Sequence, residues 1–467
     1  MPYALTNNKE HTVQCRKWVR ESKNDPMFAY ATGRIRVLEN NLLKHEELTL
    51  FSDRMTNLAI LNDILDKAHY PLAKTLDGRF VLEERQTDAE LKEMAGRTIL
   101  PRILLLEKDY HNAKWMLKQL MLAASAEQGS GQSQPVSDLN HVDSTDKDES
   151  VAENHEFSTI ISGDEKVQRE ALDAINKYFT YSEDGVETLD TRTFNTENIL
   201  QGASKYSSKD GGQFTEELSS KLIPAFIPHE QLWKDILAVM SGSFIATPCD
   251  RYLISAIVRT AKAYLAWRDL SLVDIVLDKA YYEELFILAN DKDTGSEKDF
   301  ILDFCALKAD AINFQTLLRT AKFATGRTYL RQVLLPCGNV DVKDIVSLYE
   351  SAKLILNRSE RESIPNSEYQ RVQAVFANSM ASPLVKHILK YSSVDEIREL
   401  GRDIDNLIMD LAKKGLRSSY AAETVAGYWF AKQMEVKNIR IMYACRNIDL
   451  SYEDTVKLLR KEYNAYD

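Results

Sequence analysis

The chain has 467 residues, of which 44% are hydrophobic and 28% charged, and its formal net charge is −11. That length exceeds what one compact core fills and suggests two or three units of ordinary domain size. The acidic balance argues against nucleic acid as a partner.

Seventeen Gly and eleven Pro are about half the usual share, so a long chain poor in breakers should be mostly helical. The five Cys residues stand apart at 15, 249, 305, 337 and 445, which argues against a disulfide framework or a zinc site and for a reducing, cytoplasmic setting. No apolar run of about 18 residues encodes a membrane span. The opening MPYALTNNKEHTVQCRKW lacks the apolar core and cleavage site of a signal peptide.

In chain order, Leu58, Leu61, Leu65 and Ala68 follow helical spacing into NDILDKAHY, which ends at Tyr70. A second helix, EKDYHNAKWMLKQ, carries Asp109 and Asn112 one turn apart. From Ala123 to Glu156 eight acids face one Lys. This Ser-, Gly- and Gln-rich tract cannot bury enough apolar surface to offset its ordering entropy, so a disordered loop is expected. DEKVQREALDAINKYF then gives one added helix with an apolar face, and SKYSSKDGGQF has linker composition. LIPAFIPHEQLWKDI, from Leu222, reads as a Pro-containing turn followed by an amphipathic helix. DIVLDKAYY repeats LDKA-x-Tyr and ends at Tyr282, LKADAINFQTLLR carries Asp310 and Asn313, and LLPCGNVDVKDIVSL, from Leu334, is a second Pro turn. SSVDEIRELG is a weak third counterpart of the LDKA segment. MEVKNIRIMYACR closes the series with Glu435 and Asn438.

Turn, LDKA-x-Tyr and acid-x-x-Asn recur in order. Pro224 to Asn313 spans 89 residues and Pro336 to Asn438 spans 102, so the body divides into three helical units of about a hundred residues. The expected division is unit 1 over 1–122, a largely disordered insertion over 123–220, unit 2 over 221–330 and unit 3 over 331–467. The expected fold class is all-α. An Asn inside a helix is ordinarily a structural hydrogen-bonder to nearby backbone; three equivalent Asn residues could also bind a ligand, and spacing alone does not choose.

Catalytic signatures are absent. There is no GxxxxGK[ST], no GxGxxG after a strand and no GxSxG. HEELT at His45 and HEQLW at His229 lack the second His of a zincin helix. The eight His residues do not fall at ligand spacing with Cys or acids. No catalytic, cofactor or metal residues are therefore expected.

The C-terminal stretch VAGYWFAKQMEVKNIRIMYACRNIDLSYEDTVKLL resembles the signature of the C subunit of prokaryotic V-type (A-type) ATPases, the counterpart of the d subunit of the vacuolar enzyme. The resemblance rests on Tyr428, Ala431, Lys432, Glu435, Asn438, Ile439 and Arg440 and on the closing LSYEDTVKLL helix. YATGRIRVLENNLL, from Tyr30 to Leu43, resembles the family's first helix; Cys337 departs from the Gly common in the LLPCG turn, and the insertion departs from the compact family pattern. The resemblance implies three related helical units in a funnel about a pseudo-threefold axis. It implies a non-catalytic rotor part between the central stalk, formed by the D and F subunits, and the membrane proteolipid ring. Such a part transmits torque for ATP-coupled proton or sodium transport from the cytoplasmic face and touches membrane only through partners. The competing readings are a free helical scaffold, whose solenoid repeats of about 20 to 45 residues would be shorter than these units, and a helical enzyme with a site assembled from distant residues.

Overall fold

The computed structural model describes residues 24–126 and 221–463, with breaks at 54, 243–244, 246, 268, 292–294, 359–365, 392–393 and 449, and, between these blocks, residues 203, 214–215 and 218. The N-terminal stretch with Cys15, the acidic tract and the added helix expected in the insertion lie outside the described residues.

Among the described residues the fold is all-α, without a β-strand. Five helices come first: α1 (Ala29–Leu38), α2 (His45–Thr49), α3 (Leu58–Lys67), α4 (Leu76–Ala95) and α5 (Leu100–Ala126). Next come α6 (His229–Met240), α7 (Arg251–Trp267), α8 (Ser271–Ala289), α9 (Lys298–Lys322), α10 (Arg327–Val333), α11 (Val342–Ser347), α12 (Tyr349–Leu356) and α13 (Asn366–Phe376). A 3-10 helix over Ser382–Leu389 leads to α14 (Val394–Ala412), α15 (Lys414–Arg417), α16 (Ala422–Asn447) and α17 (Tyr452–Leu458).

Side chains that satisfy the otherwise unpaired first amides mark several helix starts. Asn57 caps α3 through the Ala59 amide, Thr75 caps α4 through Gly78, Asp341 caps α11 through Lys343 and Ser451 caps α17 through Asp454. The α3 helix stops because His69 turns into the left-handed region at φ 62° and Pro71 follows Tyr70.

The described residues group into two compact units, Tyr3–Leu105 with Tyr282–Asp467, and Leu106–Tyr281. In the first, one core joins α9 to α14: Phe314, Leu318, Leu330, Ile345, Phe376 and Leu400 are fully buried. The Phe314 and Phe376 rings meet edge to face at 5.2 Å between centroids. A second cluster in this unit packs Leu48, Phe51, Leu61, Leu65 and Phe80 against Val436, Ile439 and Met442 of α16. The early segment therefore closes onto a helix more than 350 residues further along the chain. Most of α16 is buried, from Ala422 to Cys445, and it packs on α1, α2, α4, α14, α15 and α17. A helix enclosed on several sides has no single apolar stripe. In the second unit α6 packs on α7, with Leu232, Trp233, Ile236, Leu253, Ile254 and Ile257 fully buried.

Candidate functional site

Each of the three acid-x-x-Asn helices uses its Asn in the same way. Asn112 Nδ2 donates to the Ile223 carbonyl at 2.8 Å while its Oδ1 accepts from the Ile223 amide at 2.9 Å. Asn313 makes the same pair with Leu335, at 2.8 Å in both directions. Asn438 makes it with Arg460, at 3.0 and 2.9 Å. A carboxamide offers one acceptor and two donors, so it can pair with one peptide unit as a neighbouring strand would. Ile223 and Leu335 precede Pro224 and Pro336, which disfavour helix at those residues and leave their polar groups without helical partners. Arg460 is followed by Lys461, whose amide goes to Asn406 of α14 at 2.8 Å. A poor helix former sits inside each good helix because its amide leaves the helix to fasten an extended segment.

The acid one turn earlier varies more. Asp109 Oδ1 accepts from the Ile227 amide at 2.8 Å, four residues past the segment held by Asn112. Asp310 Oδ1 accepts from the Val340 amide at 3.2 Å, and its Oδ2 takes the Ser379 hydroxyl at 2.5 Å. Burial of Asp310 raises its carboxyl from the ordinary 3.8 to about 6, against the lowering effect of these bonds. A Cβ on Gly338 would overlap Asp310 Oδ1, so the LLPCG turn needs glycine for close approach.

Glu435 does something different. Its Oε2 accepts from the Leu43 amide and its Oε1 from the Tyr70 hydroxyl, both at 2.6 Å, and Lys432 Nζ lies 3.0 Å from Oε1. Lys432 is also 2.8 Å from Glu83 of α4 and sits over the Tyr70 ring, 4.5 Å from its centroid. Burial alone would lower the Lys432 ammonium, but Glu435 and Glu83 outweigh it and hold it above its ordinary value. Burial raises Glu83 despite Lys432, and Glu83 Oε2 is buried without a hydrogen-bond partner. Burial likewise drives the Tyr70 hydroxyl well up, with Glu435 and Glu83 adding to the effect.

The same two helices carry further pairs. Trp429 Nε1 donates to Asp88 at 2.8 Å, and Arg440 reaches Glu84 at 2.6 Å and Asp77 at 3.4 Å. Arg79 is 2% exposed and donates to the Tyr70 and Pro71 carbonyls and to Asp66, fixing the turn that presents Tyr70. Tyr428 is buried in the same region, its hydroxyl raised by burial and then by Glu90, Glu83 and Glu435. Of the residues singled out from sequence, Tyr70, Tyr428, Glu435 and Arg440 thus meet around α4 and α16, with Asn438 one turn beyond Glu435.

Tyr282 is elsewhere, packed with Phe286 and Ile312 against Ala309, Leu335 and Cys337. The two LDKA segments also differ locally. The first ends α3, whereas the second lies inside α8, where Asp278 pairs with Lys114. Pro71 follows the first and Glu283 the second, and only proline stops a helix.

Sequence reading missed Glu83, Glu84 and Asp88. Arg79, Glu83, Thr87 and Glu90 of α4 are all buried and recur at helical spacing. A polar stripe of that period ordinarily marks a solvent face, so the signal was present but pointed outward.

The arrangement fastens chain segments and presents no activated nucleophile among the described residues. The buried thiols of Cys305 and Cys337 are raised by desolvation, Cys337 to about 12, which leaves them protonated. A cavity of about 490 Å³ is lined by Thr49, Leu50, Ser52, Asp53, Arg446, Leu450 and Tyr452. His387, Glu396 and Glu399 could hold a metal ion.

Comparison with protein families gives one decisive match: the family described as ATP synthase (C/AC39) subunit, over residues 193–457. The chain belongs to that family. The C/AC39 protein is a structural subunit of V/A-type rotary ATPases. The matched span includes Tyr282, Asp310, Asn313, Tyr428, Glu435, Asn438 and Arg440 and leaves out Tyr70, Asp109 and Asn112. Comparison with curated proteins returns no match. No helix among the described residues of this C/AC39 family member is long and apolar enough to cross a membrane.

Proposed function

We propose that the chain is the non-catalytic rotor part that joins the central stalk, formed by the D and F subunits, to the proteolipid ring. It passes torque between ATP turnover and proton or sodium movement, sits peripherally on the cytoplasmic face and touches the membrane only through the ring. The observation that carries this reading is the family match over 193–457.

Physical features support it. A torque-bearing part must resist deformation, and packed helices with few internal breaks do so. The bonds from Leu43, Tyr70 and Glu83 to Glu435 and Lys432 tie the beginning of the described chain to its last long helix. We read the Asn112, Asn313 and Asn438 fastenings as equivalent points of three related helical units, with boundaries near 122, 220 and 330.

The test is co-expression with the stalk and proteolipid proteins, followed by purification through a tag on the ring. The stalk should come down with the ring only when this chain is present. Recovery of stalk and ring together without it would refute the role and favour a free scaffold. The purified chain should bind no ATP; micromolar nucleotide binding would favour an enzyme instead.

A further inference from the structure

We infer that His387, Glu396 and Glu399 form a divalent-metal site of zinc type. One imidazole nitrogen and one carboxylate oxygen from each Glu lie within 4.8 Å of one another. His387 belongs to the 3-10 helix Ser382–Leu389, and the two Glu residues stand one turn apart at the start of α14. A bound ion would staple these two elements.

The far side of the imidazole is the second support. His387 is 4% exposed, and its Nε2 lies 3.0 Å from Asp403 Oδ2. Asp403 already has Lys386 at 2.6 Å and Arg402 at 3.2 Å. In the proposed site Nε2 faces Asp403 and the other ring nitrogen takes the ion. A carboxylate on the far side of a ligating His is the common outer-sphere partner, which fixes tautomer and orientation.

The donor set is one imidazole and two carboxylates. Three such protein ligands with a fourth position left to water suit Zn²⁺, and for a given site Zn²⁺ binds more tightly than Mn²⁺ or Fe²⁺. Two carboxylates one helical turn apart repel each other, and a divalent ion removes that repulsion.

The test uses the full chain, stripped with a chelator and titrated with Zn²⁺ alone against a chromophoric competitor. The bound metal is then counted after gel filtration. One Zn²⁺ per chain is expected, with a rise in melting temperature. Glu399 is exposed, so Glu399→Gln should leave the fold intact yet weaken binding at least about tenfold, and Asp403→Asn should cost about tenfold without removing a ligand. The double variant Glu396→Gln/Glu399→Gln should abolish both the stoichiometric binding and the thermal shift. Absence of bound zinc in the folded wild type would overturn the proposal. So would unchanged binding in the double variant, which would put the ion on other surface groups.

Discussion

Asp310 and Glu435 occupy the same place in the same pattern, one turn before an Asn that fastens an extended segment, yet they are stabilised in opposite ways. Asp310 is surrounded by neutral donors, the amide of Val340 and the hydroxyl of Ser379, and its carboxyl is raised to about 6. Glu435 has the buried cation Lys432 beside it and donors from Leu43 and Tyr70. The first acid orders its own following turn. The second closes a contact between residues nearly 400 positions apart. One spacing therefore serves a local task and a long-range one, and the cation separates them.

The largest effect should come from removing that cation. Lys432→Met leaves Glu83 and Glu435 buried without a counter-charge and should cost about 3–5 kcal/mol, read from the urea midpoint. Adding Glu83→Gln and Glu435→Gln should recover part of the loss. If the triple variant is no more stable than the single, charge is not what Lys432 supplies.

Asp310 should give the next effect, as a pH dependence. Its carboxyl is raised in the folded chain, so the stability it contributes is full below 3.8 and is lost as pH rises through about 6. The change across that window is on the order of 2–3 kcal/mol. Asp310→Asn should flatten the stability profile between those limits. An unchanged profile in Asp310→Asn would refute this role for its carboxyl.

Gly338→Ala should cost about 2 kcal/mol by overpacking against Asp310. The cost should shrink in an Asp310→Ala background, because the two residues share the strain. The smallest effects should come from Asn313→Ala and Asn438→Ala, about 1–2 kcal/mol each for peptide groups left unpaired. Amide exchange should accelerate locally, at Leu335 in the first and Arg460 in the second.

The acid-x-x-Asn spacing was legible in the sequence because it lies within one helix turn, but the peptide that each Asn holds was not. In Asn313 and Asn438 the acid, the amide and the held peptide fall within 30 residues of chain. The all-helical fold was legible for a similar reason, since scarce Gly and Pro and helical spacing are local properties. The α4–α16 network was not. Its acids sit on a helix whose buried face is polar, and their partners Lys432, Trp429 and Arg440 are some 340 residues or more away. LDKA misled in the other direction, because four identical letters carry no information about the proline that ends one helix and not the other. His387 escaped notice since its acids lie on the next helix rather than at a ligand spacing on its own.

The most direct test of the coupling role measures ATP-driven ion uptake and ATP hydrolysis together, in membrane vesicles that carry the enzyme with and without this chain. Loss of the chain should stop uptake while the catalytic head continues to hydrolyse ATP, and adding the chain back should restore uptake. Uptake that stays coupled to hydrolysis in its absence would mean that this chain is not the link between stalk and ring.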